Sequence, residues 1–477
     1  MQESSQEIVG IGTVGCYDTA VADWDKRKIS IMGLGRSGIA TAKYLASFGA
    51  NVLLSEAEET PDKLQKAKSL RALGVRVEFG PPTDEIAKFG EFIVTSPGIK
   101  PDHPVFQTAR QLGKEVISDV ELAYRETRVP IIAVTGTNGK STTTALISYI
   151  LEKSGRVAPA CGNIGVPVLD QLERRPDYLV IEVSSYQLHY CKNFAPYIGV
   201  WLNLTPDHLD WHGSLDEYVK DKRKLFTNQR ADQYSVLNMD DSIVAATPGR
   251  SEIFPFSPTT ELDAAVQGAF MKDGYLAYRI GGRTRLVCHQ SELQILGQHN
   301  LENALAAISV CAIIGVEPAE IEMYLKDFGG LEHRLEYVAT ISGVKYYNDS
   351  KATNTDSAIK ALQSFPDDKV VLIAGGKDKG TALGDFVHSV KTHAGAVILI
   401  GEAKERFENA LKEGGVENIY PVDSLEEAVD LGGKLNLGPV LLSPACASFD
   451  MFKDFEDRGR VFKDIVRARL EKVAPSK

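Results

Sequence analysis

The run Ile131–Thr144, IIAVTGTNGKSTTT, constrains the fold more than any other stretch of the chain. Apolar, β-type residues from Ile131 to Val134 lead into Gly136-Thr137-Asn138-Gly139-Lys140-Ser141, and helix formers follow over Ala145–Leu151. A strand that turns through glycines into a helix is the local geometry of an anion cradle. The glycines let consecutive backbone N–H groups point inward, and the helix N-terminus adds partial positive charge. Lys140 is placed to reach terminal phosphates, the Ser141 hydroxyl to hold Mg²⁺, and Thr142 to complete the loop. The spacing is two residues tighter than GxxxxGK[ST]. The plain alternative, a glycine turn with an exposed lysine, leaves the Ser/Thr cluster behind Lys140 without a use.

A chain of 477 residues has room for about three domains of roughly 150 residues. Its net charge of −11 argues against a nucleic-acid partner, which needs a broad cationic field. A small anionic ligand passes that test, because only its pocket must be positive. The six cysteines, at 16, 161, 191, 288, 311 and 446, form no CxxC pair, which suits free thiols in a reducing compartment. No apolar run reaches the roughly 18 residues of a membrane span. Residues 1–27 are a polar extension with neither the basic nor the apolar region of an export signal. A cytoplasmic protein, with no membrane insertion and working as a monomer, is expected.

Strands at Lys28–Met32, Asn51–Ser55 and Phe92–Thr95 alternate with helical stretches, as do those at Tyr178–Val183 and Ile198–Leu204. Further strands fall at Val344–Tyr347, Val370–Ala374, Ala396–Ile400 and Val440–Leu442, and an alanine-rich helix covers Asn300–Ile314. This βαβ spacing predicts an α/β protein of three consecutive domains: a Rossmann-like N-terminal domain over 1–128, a P-loop ATPase-like central domain over 129–330 and a Rossmann-like C-terminal domain over 331–477. Ligands on such sheets bind beyond the carboxyl ends of the strands. Gly136–Ser141, Glu182–Ser185, Asn203–His208 and Asp349–Thr353 all follow predicted strands and are expected to converge on one cleft between the second and third domains.

Gly33-Leu34-Gly35-Arg36-Ser37-Gly38 fits the dinucleotide fingerprint, and Glu56 ends the next strand. The fingerprint guarantees only a tight turn and a helix N-terminus facing a diphosphate, so NAD and a nucleotide sugar both remain open. Asp207-His208-Leu209-Asp210-Trp211-His212 carries two histidines but lacks the glutamate of a zinc protease. Hard Mg²⁺ ligation with Glu182, Asp207 and nucleotide phosphates fits better, with a solvated acidic turn as the plain alternative for Asp210 and His212. Glu182 closes an otherwise apolar strand, where a charge is costly without a cation. On composition alone, the lysines of Tyr218–Phe226 are surface lysines. Arg334 and Lys351 can clamp a phosphoryl group or simply join a salt-bridge network.

Taken together, GTNGKST, Gly162-Asn163-Ile164-Gly165, EVSSYQL, NLTPDHLDWH, the GxHN-LENALAA run over 297–307, EHRLE and NDSKATN resemble, in order, the Mur ligases. The resemblance runs from Lys28 to the C-terminus. The run Leu442–Phe452 is similar to the D-glutamate-adding branch, and the DNPR motif of the diaminopimelate- or lysine-adding branches is absent. It implies an ADP-forming ligase of peptidoglycan precursor synthesis, with UDP-N-acetylmuramoyl-L-alanine, D-glutamate and ATP as substrates and an acyl-phosphate intermediate. Another Mur-type ligase or a folylpolyglutamate synthase-like enzyme is the nearer alternative. A NAD-dependent dehydrogenase or a nucleotide-gated interaction module is the more distant one.

Carried onto this sequence, the resemblance puts Lys140, His208, Lys222 and Lys351 in catalysis. Two Mg²⁺ sites would draw on Ser141, Glu182, His208 and a carbamylated Lys222, although Asp221-Lys222-Arg223-Lys224-Leu225 departs from the usual AKxRI form and leaves Lys224 as a rival. Asn300 and Asn303 would contact adenine, His333 and Asp349 the ribose, and Arg334 the phosphates. Gly35, Arg36, Ser37, Glu56, Ser96 and Asn163 would hold the UDP-sugar, and Lys351, Thr353, Lys379, Ser448 and Phe455 the D-glutamate.

Overall fold

The computed structural model describes residues 23–295, 297–365, 368–378 and 380–473, without the side chains of Asp210 and Val473. Most of the polar extension, Lys379 and the Asp210 side chain therefore lie outside the described residues. Contacts divide the chain into two compact units, Met1–Gln290 with Glu302–Leu325 and Ser291–Leu301 with Lys326–Lys477.

The first unit carries two sheets. Strands β1 (Lys28–Met32), β2 (Asn51–Glu56), β3 (Arg76–Phe79), β4 (Phe92–Thr95) and β5 (Glu115–Ser118) pair in parallel in the order β3-β2-β1-β4-β5. The order reverses at β1, which opens a crevice beyond its carboxyl end where Gly33–Gly38 sits. The second sheet contains β6 (Ile131–Thr135), β7 (Ala160–Gly162), β8 (Leu179–Glu182), β9 (Ile198–Trp201), β10 (Tyr234–Asn238), β11 (Glu252–Ser257), β12 (Gly268–Lys272), β13 (Tyr275–Ile280) and β14 (Arg283–His289). Its order is β14-β13-β12-β11-β10-β9-β6-β8-β7. Strand β6 lies between β8 and β9, parallel to both, so three predicted loops leave the sheet side by side. All five residues of β6 are buried, as a parallel strand covered on both faces requires.

The antiparallel strands β12–β14 extend this sheet and were not anticipated from hydrophobic runs. Their signal is in the turns: Asp273-Gly274 and Gly281-Gly282 have φ of +50°, +81°, +56° and +72°. Two successive positive φ values make the tight turn whose twist matches a hairpin.

In the second unit, β15 (Glu336–Ile341), β16 (Val344–Asn348), β17 (Val370–Gly375), β18 (Ala394–Ile400), β19 (Ile419–Pro421) and β20 (Val440–Leu442) form a sheet ordered β15-β16-β20-β17-β18-β19. Only the β15–β16 pair is antiparallel. Strand β17 shows why its sequence is a continuous apolar run. Val370, Leu372 and Ala374 pack into one core cluster and Val371 and Ile373 into another, on opposite faces of the sheet. Each such Val, Leu or Ile contributes about 1.5–3 kcal/mol by leaving water. Edge strand β15 is half exposed and was missed for that reason. No helix among the described residues is long and apolar enough to cross a membrane. The five described cysteines are free and buried.

Candidate active site

Beyond β6, Gly139 takes φ +81° as the N-cap of the helix Lys140–Lys153. A Cβ there would also collide with Asn303 Oδ1, so glycine is required by conformation and by space. The loop is held from β9: Thr137 N donates to Asn203 O at 3.1 Å and Asn138 N to Asn203 Oδ1 at 2.9 Å. Lys140 Nζ folds back onto the carbonyls of Gly136 (3.0 Å) and Thr137 (2.9 Å). Thr142 is buried in the first turn of the helix and Ser141 is half-buried. Thr143 Oγ1 donates to the buried Asn303 at 3.0 Å, which locks the helix Gln298–Ile314 against the loop.

Glu182 ends β8 with only 3% of its surface exposed. Its Oε1 accepts from Asn163 Nδ2 at 2.8 Å, while the buried Oε2 has no hydrogen-bond partner. An unpartnered carboxylate oxygen under cover costs stability unless something positive meets it. Its hard oxygen, the Ser141 hydroxyl and the oxygens of a nucleotide make a donor set that suits Mg²⁺. Among the described residues, no group of three or more His, Cys, Asp or Glu side chains could hold a metal unaided.

The reading of the Tyr218–Phe226 lysines as surface residues fails at Lys222, which is 1% exposed on the helix Leu215–Thr227. Its Nζ donates to Gly136 O at 2.8 Å and lies over the Tyr218 ring at 4.7 Å. Burial, reinforced by the Lys140 charge, holds its pKa well below the ordinary lysine value. Its rival Lys224 instead donates to His189 O (2.5 Å) and pairs with Asp221 (3.0 Å), so it faces away from the loop.

The solvated-turn reading of His212 also fails. The His212 side chain is buried, with Nδ1 3.0 Å from Asp221 Oδ2 and Nε2 2.9 Å from Ser185 Oγ. Asp221 takes a second histidine, His189, at 2.9 Å. A carboxylate only accepts, so both rings carry their hydrogen on Nδ1. This Asp–His cluster was not legible because its members are 32 and 9 residues apart. His208 is the exposed one, at φ +54°, with its ring 5.0 Å from Tyr186.

At the crevice of the first sheet, a cavity of about 180 Å³ is lined by Gly35, Arg36, Ser37, Ser96, Asn163 and Gln187, among others. Arg36 Nη1 donates to Gly165 O at 3.0 Å across it. Glu56 does not line it. Its Oε2 accepts from Leu34 N at 2.9 Å and its Oε1 from Lys63 Nζ at 2.9 Å, so it props the glycine turn from beneath. The acid that a dinucleotide's ribose would need is thus already engaged.

In the second unit, Asp349 and Lys351 follow β16. Burial pushes the Asp349 carboxyl up to about 7, although it accepts from Ser443 Oγ at 2.7 Å and from Leu335 N at 3.2 Å. Arg334 stands between two residues in the left-handed region, His333 (φ +65°) and Leu335 (φ +43°). That costly loop is tied down by buried Lys463, whose Nζ meets Glu332 (2.5 Å) and Glu336 (3.0 Å), and by Asn348 Nδ2, 3.0 Å from His333 Nδ1. Lys351 Nζ lies over the Phe455 ring at 5.6 Å. Buried Arg458, which sequence reasoning missed, donates to Ser350 O, Ser350 Oγ and Cys446 O, and so joins the Lys351 loop to the run that carries Ser448. Thr353 N turns back onto Lys351 O at 2.8 Å. Asn300 is buried near the start of its helix, in the second unit, while Asn303 is in the first. Of the four predicted loops, the structure brings together Gly136–Ser141, Glu182–Ser185 and Asn203–His208, and Asp349–Thr353 belongs to the other unit.

Three family models match consecutive stretches of the chain: a Mur ligase MurD-like N-terminal domain over residues 27–118, the Mur ligase middle domain over 134–311 and the Mur ligase glutamate ligase domain over 333–446. The chain is 42% identical over 449 residues to the UDP-N-acetylmuramoylalanine–D-glutamate ligase of Caldanaerobacter subterraneus subsp. tengcongensis, covering 92% of this chain and 98% of that one. It is 41% identical over 450 residues to the ligase of the same name from Pelotomaculum thermopropionicum. Among solved structures, the UDP-N-acetylmuramate-alanine ligase of Thermotoga maritima aligns over 92% of this chain and 99% of its own with a TM-score of 0.57 at 20% identity, a likeness of fold.

Proposed function

The chain belongs to the Mur ligase family, and from that premise we propose that it joins D-glutamate to UDP-N-acetylmuramoyl-L-alanine at the expense of ATP, in peptidoglycan precursor synthesis. The observation that carries this reading is the meeting of the phosphate loop, the unpartnered Glu182 oxygen and the buried Lys222 amine beyond β6, β8 and β9.

A carboxylate resists attack by an amine because its leaving group would be oxide. Attack by a carboxylate oxygen on the γ-phosphorus expels ADP and gives an acyl phosphate, whose leaving group is phosphate. The amine of D-glutamate then adds to the carbonyl carbon and loses a proton, and the tetrahedral adduct expels phosphate with the original carboxylate oxygen. The residues supply position and charge. The amides of Gly136–Lys140 and the Lys140 ammonium hold the terminal phosphates once Lys140 exchanges its loop carbonyls for ligand. Glu182 and Ser141 would hold Mg²⁺, which neutralises phosphate charge when bound, and exposed His208 is free to turn toward a second ion. From the second unit, Arg334 serves the phosphates, His333 and Asp349 the ribose and Asn300 the adenine, which Asn303 of the first unit also takes. Lys351, Thr353, Lys379, Ser448 and Phe455 take the D-glutamate, whose two carboxylates call for a lysine and polar donors.

Lys222 suits carbamylation. Burial lowers the pKa of this amine and so favours the free base, whose lone pair forms a bond to the carbon of CO₂ while Nζ releases a proton. The product is an anion beside Lys140 and the loop. The UDP-sugar takes the cavity at Arg36, Ser37, Ser96 and Asn163, with its diphosphate at the helix N-terminus after Gly35. Domain boundaries at 128/129 and 330/331 go with this reading, as do a cytoplasmic location and a monomeric enzyme.

The test is phosphate release by the purified chain. It should require ATP, UDP-N-acetylmuramoyl-L-alanine and D-glutamate together and vanish in Lys140→Ala. Release with L-glutamate or a diamino acid at the same rate would move the chain to another branch.

A further inference from the structure

Beneath the cavity of the first unit lies a carboxyl that the proposed chemistry does not use. Asp119 opens the helix Asp119–Glu126 and is 1% exposed. Its Oδ1 accepts from Gln187 Nε2 at 3.0 Å and its Oδ2 has no hydrogen-bond partner. Gln187 and Ser37 both line the cavity, one from the helix after β8 and the other from the helix after β1.

The contact settles which way the Gln187 amide points. A carboxylate accepts and an amide NH₂ donates, so Nε2 must face Asp119 and Oε1 must face away. There Oε1 accepts both the backbone N–H and the hydroxyl of Ser184, each at 3.1 Å. The line Asp119–Gln187–Ser184 therefore runs under the cavity floor to a residue two positions beyond Glu182. Burial pushes the Asp119 carboxyl up, and one of its oxygens is unsatisfied. Such a group weakens the fold where it stands, and an apolar side chain would fill the space with less penalty. Its value is in what it orients.

We propose that Asp119 is a positioning residue for the ligand of this cavity, fixing the Gln187 amide in the orientation that receives a nucleotide sugar. The proposal rests on the nucleotide-sugar reading of the cavity. The two can be separated by titration calorimetry of the full chain with UDP-N-acetylmuramoyl-L-alanine and, separately, with ATP. Asp119→Ala should weaken nucleotide-sugar binding about tenfold, the worth of one buried hydrogen bond, and change ATP binding less than about twofold. Asp119→Asn keeps an acceptor oxygen for Gln187 and should stay within about threefold of the parent. The proposal is overturned if Asp119→Ala binds the nucleotide sugar normally, if its ATP affinity falls by the same factor, or if Asp119→Asn loses as much as Asp119→Ala. Arg36→Ala reports on the underlying reading. Weakened binding in Arg36→Ala beside normal binding in Asp119→Ala sinks only the positioning role, whereas normal binding in Arg36→Ala, or none in the parent, sinks both.

Discussion

Replacing Asp349 with asparagine should flatten the pH dependence of stability in the second unit. The carboxyl sits at about 7 in the fold against an ordinary 3.8, because burial opposes its charge more than Ser443 and the Leu335 amide favour it. A carboxyl raised on folding binds its proton more tightly in the native state. Its contribution is full below about pH 4 and is lost as pH rises through 7. Between pH 5 and pH 7 the folded group holds a proton that the unfolded one has released. Those two pH units, at about 1.4 kcal/mol each, amount to roughly 3 kcal/mol lost by pH 8. Asparagine mimics the neutral acid and does not titrate. All three tryptophans, at 24, 201 and 211, belong to the first unit, so their fluorescence would miss the effect. Amide exchange in β17 and β20, corrected for intrinsic rates, reads the second unit directly. The parent should lose about 100-fold in protection from pH 5 to pH 8 relative to Asp349→Asn. Equal slopes in the two proteins would refute the reasoning.

Three further outcomes follow from the first unit. Glu182→Gln keeps the shape and the Asn163 contact but removes a buried charge whose Oε2 has no hydrogen-bond partner. It should gain about 1–3 kcal/mol in stability while raising the Mg²⁺ needed for half-maximal rate at least about tenfold; an unchanged Mg²⁺ requirement would remove Glu182 from the metal site. Carbon-13 bicarbonate should give the parent a carbamate carbonyl resonance by NMR that Lys222→Arg lacks, and the same resonance in both would exclude Lys222. Gly139→Ala combines an unfavourable φ with a collision at Asn303 and should cost about 2 kcal/mol or more, read as a lowered Tm, along with ATP binding measured by calorimetry.

Much of this architecture was readable because parallel strands covered on both faces appear as unbroken apolar runs. Strands β6, β17 and β20 are such runs, and the glycine turns after β1 and β6 mark where the sheets open. Edge strands and antiparallel hairpins obey no such rule. Strands β13, β14 and β15 mix polar and apolar residues, and only their positive-φ turns betray them. In the site, the phosphate loop and Glu182 were legible from strand-end position. Lys222 was reached only through the family resemblance, because a lysine's burial depends on which face of its helix meets the loop. The Asp221 pair of histidines, Arg458 and Lys463 escaped for a related reason: each works by contacts between distant segments that carry no spacing signature. Glu56 matched a fingerprint and proved to brace the turn rather than line the cavity.

Transfer of an oxygen atom tests the central chemistry most directly. With oxygen-18 in the L-alanyl carboxylate of UDP-N-acetylmuramoyl-L-alanine, each turnover should yield phosphate bearing one labelled oxygen, because the acid's own oxygen leaves with the phosphoryl group. Product formed at the normal rate with unlabelled phosphate would contradict an acyl phosphate, and with it the mechanism built on the loop, Glu182 and Lys222.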